Sequence, residues 1–161
     1  MPKEKPPITA AVRLLRSEKV DFTDHLYSYE EKGGTSTSSR ELGVDEHAVI
    51  KTLVMEDDVG QPLIILMHGD KSVSTKELAR TISVKQVSPC SPDSANKHTG
   101  YLVGGTSPFG VRRQMSLYME KSIADLEYIY INGGKRGYLV GMKPSELIRA
   151  LKPVMVTVAI E

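Results

Sequence analysis

The chain has 161 residues, 40% of them hydrophobic and 25% charged, with a formal net charge of +1. That balance describes an ordinary globular core and excludes disorder over most of the length. It also excludes bulk electrostatic attraction to DNA or to an anionic membrane, so any RNA contact has to come from a local basic patch. The single cysteine, Cys90, cannot build a disulfide framework, and a reducing, cytoplasmic setting is expected. No stretch approaches the ~20 apolar residues of a membrane span, and no membrane association is expected.

Residues 1 to 7, with three prolines and an acidic residue, read as a frayed tail, and a single domain is expected over residues 8–161. From Ile8, the residues Ala11, Val12, Leu14 and Leu15 recur at helical spacing. Val20 to Tyr29 reads as a strand, and Glu30 to Ser39, rich in Gly, Ser and Thr, as a flexible loop. A short helix through Arg40, Glu41 and Leu42 is stopped by Gly43. Val49 to Met55 and Leu63 to Met67 form a hairpin across an acidic, Gly-containing turn. Val73 to Ile82 is a helix, Val84 to Val87 a short strand, and Ser91-Pro92-Asp93 opens another helix. Ser116 to Met119, Leu126 to Ile131 and Tyr138 to Val140 are short strands. Pro144 to Leu151 is helical and Val154 to Ile160 closes the chain as a strand. Strands and helices intermix without a regular βαβ repeat, which predicts an α+β fold with a mixed, partly barrel-like sheet.

Two glycine clusters stand out. One holds Gly100, Gly104, Gly105 and Gly110 around Ser107 and Pro108; the other is Gly133-Gly134-Lys135-Arg136-Gly137. Glycine lets backbone approach a ligand closely and offer N–H groups to a phosphate, carboxylate or oxyanion. Tight turns between strands explain either cluster alone. Neither has the spacing of a nucleotide-binding loop. Lys51 interrupts an apolar strand and shares a face with Val49 and Leu53, an expensive place for an ammonium without an anion or water. The four histidines have no metal-ligand spacing, and no metal is expected. His25 precedes Tyr27 by two residues on the same predicted strand face, where it would line a pocket. Cys90 has no evident histidine partner and Ser107 no evident base, so the substrate or a water would supply the nucleophile.

Three motifs in order carry a resemblance: Lys51-Thr52-Leu53, then Thr99-Gly100-Tyr101-Leu102-Val103-Gly104-Gly105-x-Ser107-Pro108-x-Gly110, then Gly133-Gly134-Lys135-Arg136-Gly137. From about Ile8 onward the chain resembles the YbaK/EbsC family, freestanding relatives of the editing domain of bacterial prolyl-tRNA synthetase. The resemblance implies that family's α+β fold and deacylation of mischarged tRNA in trans, most of all Cys-tRNA(Pro). It implies a catalytic group of Lys51, Gly104 and Gly105. Lys51 would engage the terminal adenosine or its phosphate, and the loop from Gly104 through Thr106, Ser107 and Pro108 would surround the ester. It implies a substrate pocket completed by Tyr27, His25, Asn132, Gly133, Gly134, Lys135 and Arg136. The substrate's own thiol would attack the ester carbonyl, with no cofactor, and prolyl-tRNA synthetase would be a transient partner. Asn132 stands where members often carry Ser, and Ile50 where they often carry an aromatic residue, which leaves Ala or another small amino acid open as the cargo. A non-catalytic binding module for the same ligands, or a small-molecule hydrolase holding a phosphate, are the competing readings.

Overall fold

The computed structural model describes residues 5–161. Of the tail expected over residues 1–7, residues 1–4 lie outside the described residues. Lys5 and Pro7 line a small recess with Tyr27 and Tyr29, so this part of the tail lies against the protein.

In chain order the elements are α1 (Ala10–Ser17), β1 (Thr23–Leu26), α2 (Gly34–Leu42), β2 (Val49–Asp57), β3 (Pro62–His68), β4 (Ser72–Val73), α3 (Thr75–Ile82), β5 (Val87–Pro89), α4 (Pro92–Thr99), β6 (Ser116–Glu120), β7 (Ile129–Lys135), β8 (Tyr138–Met142), α5 (Pro144–Leu151), β9 (Val154–Val156) and β10 (Ala159–Ile160). The main sheet runs β1-β8-β7-β2-β3-β6-β9, with β5 added beside β2. Pairs β2/β7, β3/β6 and β6/β9 are parallel and the rest antiparallel. The fold is therefore α+β on a mixed sheet, and the sheet is open, ending at β1 and β9.

The central strand β3 shows how the core is organised. Leu63, Ile64, Ile65, Leu66 and Met67 are all buried. Ile64 and Leu66 join a cluster with Leu15 of α1, Phe109, Ile131 and Leu147 of α5. Leu63, Ile65 and Met67 join a second with Leu78 and Ala79 of α3, Val87 and Val158. A strand covered on both faces reads as a continuous apolar run rather than an alternating one.

Several boundaries differ from the sequence reading. The strand expected over residues 20–29 is only Thr23–Leu26, the part that finds a partner in β8. The flexible loop expected over residues 30–39 is largely α2. Its serines have low helix propensity, but Ser36, Ser38 and Ser39 donate their hydroxyls to carbonyls three residues back. Thr37 donates to Glu30 at 2.8 Å and Thr35 to Glu46 at 2.7 Å. Tertiary contacts thus override propensity. The helix expected from Val73 starts at Thr75, where Ser74 caps it by accepting from the Glu77 N–H. Ser72 and Val73 instead pair with β10, which splits the final strand in two. Among the described residues no helix is long and apolar enough to cross a membrane.

Candidate active site

The site begins as a gap in the sheet. On one side β2 pairs with β3 from Ile50 to Glu56. On its other side β7 pairs only with Val49 and Ile50, and β5 only with Met55, Glu56 and Asp57. Between them, Lys51 to Val54 have no strand on that side. A cleft of about 820 Å³ opens there. Residues 51–54 lie along it with Pro89 and Cys90, the threonine and serine face of α2, Tyr27 and Tyr29, the loop residues Val103, Gly104 and Thr106, and Asn132 and Arg136. The volume is that of a small-molecule or nucleoside site. Thr52 Oγ1 is buried in this lining with no hydrogen-bond partner among the described residues.

Lys51 is half-buried, and burial lowers its pKa from the ordinary lysine value, while the carboxylates of Glu46 and Asp70 push it back up. Its ammonium donates to the Lys71 carbonyl. The Gly69–Lys71 turn that supplies this carbonyl is itself fixed. Gly69 N–H donates to Val49 O at 2.7 Å, and the Asp70 carboxylate bonds His47 Nδ1 at 2.8 Å. His47 stacks on His68 with ring centroids 3.7 Å apart. His68 is buried, bonded to the His47 carbonyl and to Ser122 Oγ, and desolvation lowers its pKa. These histidines are structural supports of the lysine's surroundings rather than lining residues.

One side chain ties the two glycine loops together. Asn132 Nδ2 donates to Gly104 O at 3.0 Å, and Asn132 Oδ1 accepts from Gly134 N–H at 2.6 Å and Lys135 N–H at 3.2 Å. Arg136 Nε donates to Val103 O at 2.8 Å and its guanidinium lies 5.2 Å from the Tyr29 ring centroid. Asn132→Ala is expected to cost about 1–2 kcal/mol through these lost bonds, read as a lower urea midpoint at unchanged slope. An unchanged midpoint would show that the loops hold each other without Asn132.

The structure gathers Lys51, Tyr27, Gly104, Thr106, Asn132 and Arg136 in one cleft. It does not gather the rest of the expected set. His25 lies off the cleft, bonded to Thr23 Oγ1 at 2.7 Å and edge-on to Tyr130, because the chain leaves the strand after Leu26 and the His25–Tyr27 alternation does not hold. Ser107 and Pro108 are buried under the loop, and Ser107 Oγ accepts from Phe109 N–H. Gly105 is buried too. Its N–H is taken by Leu102 O at 2.8 Å, and an added Cβ would sit 2.8 Å from Arg136 N. Gly133 and Gly134 serve packing: added Cβ atoms would meet the Tyr138 ring at 2.3 Å and the Tyr101 ring at 2.8 Å. Lys135 lines only the smaller recess, beside Tyr27 and Tyr29. Tyr29, Thr52, Cys90 and the hydroxyls of α2 were not legible as lining residues. The Tyr27-x-Tyr29 pair was the available signal for the first.

Comparison with known proteins bears on the family and the fold. A family model described as an aminoacyl-tRNA editing domain matches residues 30–150. The chain is 26% identical over 141 residues to the "Putative Cys-tRNA(Pro)/Cys-tRNA(Cys) deacylase EbsC" of Enterococcus faecalis, covering 87% of this chain and 86% of that protein. It is 27% identical over 86 residues to a proline–tRNA ligase of Levilactobacillus brevis, 53% of this chain but 15% of the ligase. Among solved structures, the hypothetical protein APE2540 superposes with a TM-score of 0.86 at 21% identity, over 94% of this chain and 99% of that one. A "putative trans-editing enzyme for prolyl tRNA synthetase" does so with a TM-score of 0.82 at 16% identity, over 99% and 100%. At those identities the two structures speak for the fold alone. The family model spans most of the chain, from Glu30 at the mouth of the cleft through Lys51, Gly104 and Arg136, and the chain belongs to the aminoacyl-tRNA editing domain family.

Proposed function

We propose that the chain clears mischarged tRNA by cleaving its aminoacyl ester, with Cys-tRNA(Pro) as principal substrate. The observation that carries this reading is a cleft pairing a half-buried ammonium, Lys51, with a close-approach glycine, Gly104, around a space that holds no activated protein nucleophile among the described residues. Cys90 is the only thiol, and burial raises its pKa, which keeps it protonated and unreactive. A cysteinyl ester brings its own nucleophile. The substrate sulfur attacks the ester carbonyl carbon, the bond to the ribose oxygen breaks, and the thiol proton ends on that oxygen. The products are a thiolactone and free tRNA. Lys51 stabilises negative charge on the ligand, and the Gly104–Asn132 contact sets the wall against which the ester lies. For other small amino acids a water takes the sulfur's place. Sequence similarity to proline–tRNA ligases supports tRNA(Pro) as the carrier and the ligase as a transient partner.

The test is release of Cys, Ala and Ser from charged tRNA(Pro). Cys is expected to leave more than about 200-fold faster, since a pocket alone separates side chains of similar size by only ~1–3 kcal/mol, or ~10–200-fold. Equal rates for Ala and Cys would rule out attack by the substrate thiol. Cys90→Ser is expected to keep activity within about 3-fold of the parent, because a protonated cysteine without a base contributes little. Abolished turnover in that variant would make Cys90 the nucleophile instead.

A further inference from the structure

The loop that reaches the cleft through Val103 and Gly104 carries an unusual tip. Leu102 is 62% exposed and Val103 49%, two of the few large apolar side chains left in solvent. Cations flank the tip on both sides. On one side Arg136 bonds the Val103 carbonyl. On the other, the segment through Arg112 and Arg113 lies along the end of α4, with Arg112 N–H donating to Thr99 O and Arg113 N–H to His98 O, both at 3.0 Å. The Arg112 guanidinium passes over Gly100, whose added Cβ would lie 3.6 Å from Nε. Lys97 and His98 occupy the last turn of α4, and the helix's acidic residue, Asp93, lies in its first turn.

A helix dipole accounts for Lys97 at a C-terminus. It does not account for Arg112 and Arg113, which belong to no helix. Arg40, Lys71, Arg80 and Arg149 each pair with a carboxylate, whereas most other cations among the described residues do not. Among the described residues Lys97, Arg112, Arg113 and Arg136 pair with none within 4.0 Å. Lys97, Arg112 and Arg113 thus stand together at the end of α4, beside the loop whose Val103 and Gly104 line the cleft.

We propose that Lys97, Arg112 and Arg113, together with the Leu102–Val103 tip, form the track along which the RNA leading into the cleft is held. The reading rests on the aminoacyl-tRNA function proposed above. Guanidinium and ammonium groups answer successive phosphates. The aliphatic tip lies against the faces of unpaired bases at the single-stranded end, where no partner strand covers them. Arg136 links this track to the cleft. The surface gives RNA affinity without sequence selectivity.

The experiment uses the full chain with Lys97→Ala, Arg112→Ala and Arg113→Ala combined. Turnover is measured on cysteinyl-tRNA(Pro) and on cysteinyl-adenosine, and binding of uncharged tRNA(Pro) by fluorescence anisotropy across a salt series. The expected result is a KM for charged tRNA about 10-fold higher and a log–log salt slope smaller by about 2–3. Turnover of cysteinyl-adenosine stays unchanged. Removing three exposed lysines remote from the cleft mouth, Lys76, Lys85 and Lys143, changes neither KM nor slope by more than a small amount. Leu102→Ser raises KM while leaving the slope intact, since it removes no charge. Unchanged tRNA affinity and slope in the triple variant would overturn the proposal, also if that variant loses binding to a proline–tRNA ligase, which would assign the surface to protein. Equal loss on cysteinyl-tRNA and cysteinyl-adenosine would overturn it as well, by placing these cations in the service of the cleft. If the parent chain cleaves neither ester, the deacylase reading fails, and the salt series alone decides whether the surface holds RNA.

Discussion

Lys51→Met is expected to lower kcat/KM for ester cleavage by about 10²–10³ while leaving the fold as stable as the parent or more so. The activity loss is that of removing one preorganised group facing charge on the ligand. The stability expectation follows from the surroundings. Lys51 lies on a strand face shared with Leu53, and burial depresses its pKa. A depressed lysine pKa means the charged form is disfavoured in the folded state. Below the folded pKa that cost is present in full. As pH rises from the folded towards the unfolded value, the unfolded chain holds more protons and stability increases. Methionine keeps the aliphatic stem and removes the buried charge, so the melting temperature at neutral pH should hold or rise. The partial offset from Glu46 and Asp70 sets how much. The same depression predicts that enzymatic turnover, after subtraction of spontaneous hydrolysis, declines with rising pH at a lower pH than an ordinary lysine would give. Full activity in Lys51→Met would remove this lysine from the chemistry. A large fall in melting temperature would show instead that its bond to Lys71 holds the strand in place.

Gly104→Ala is expected to cost about 10²-fold in kcat/KM for a modest loss of stability. Gly104 has φ of +89°, a conformation that costs an L-residue about 1–2 kcal/mol. The added Cβ would also lie 2.6 Å from the Tyr29 hydroxyl and 3.0 Å from its ring. Tyr29 has to move, and with it the Arg136 guanidinium that lies over it. Displacement of positioning groups by about 1 Å is enough for a 10²-fold effect. Gly60→Ala is the control. It has φ of +80° with nothing within 4 Å of the added Cβ, so it carries the backbone penalty without the steric one. Circular dichroism melts should show a small loss for Gly60→Ala and a somewhat larger one for Gly104→Ala, and only Gly104→Ala should lose turnover. Parallel loss of activity in both would mean that global stability, not the loop, sets the rate.

The fold class and the unusual place of Lys51 were legible in the sequence because both leave strong local marks. Lys51 is conspicuous as a charge inside an apolar run. Helix α5 begins at Pro144, as its proline announces. What stayed hidden depended on contacts far apart in the chain. Helix α2 is made of poor helix formers held by Glu30 and Glu46, partners that no window around residues 34–42 contains. The glycine motifs show a different limit. Composition marks Gly104 and Gly133 alike, yet one approaches the cleft and the other accommodates the Tyr138 ring. Nothing in the local pattern separates a glycine that admits a ligand from one that admits a neighbouring side chain. His25 illustrates the sensitivity of strand faces to length: with the strand ending at Leu26 rather than Tyr29, His25 packs on Tyr130 while Tyr27 lines the cleft.

The interruption in the pairing of β2 has a consequence for how such a scaffold diversifies. Strand β2 is anchored by β7 at one end, by β5 at the other and by β3 along its length. Its register is therefore insensitive to what occupies positions 51–54. Replacements at Thr52 and at Cys90, whose N–H bonds the Val54 carbonyl, can change the shape and polarity of the cleft without dislodging Lys51. The shape of the cleft wall and the placement of Lys51 are in this way mechanically uncoupled.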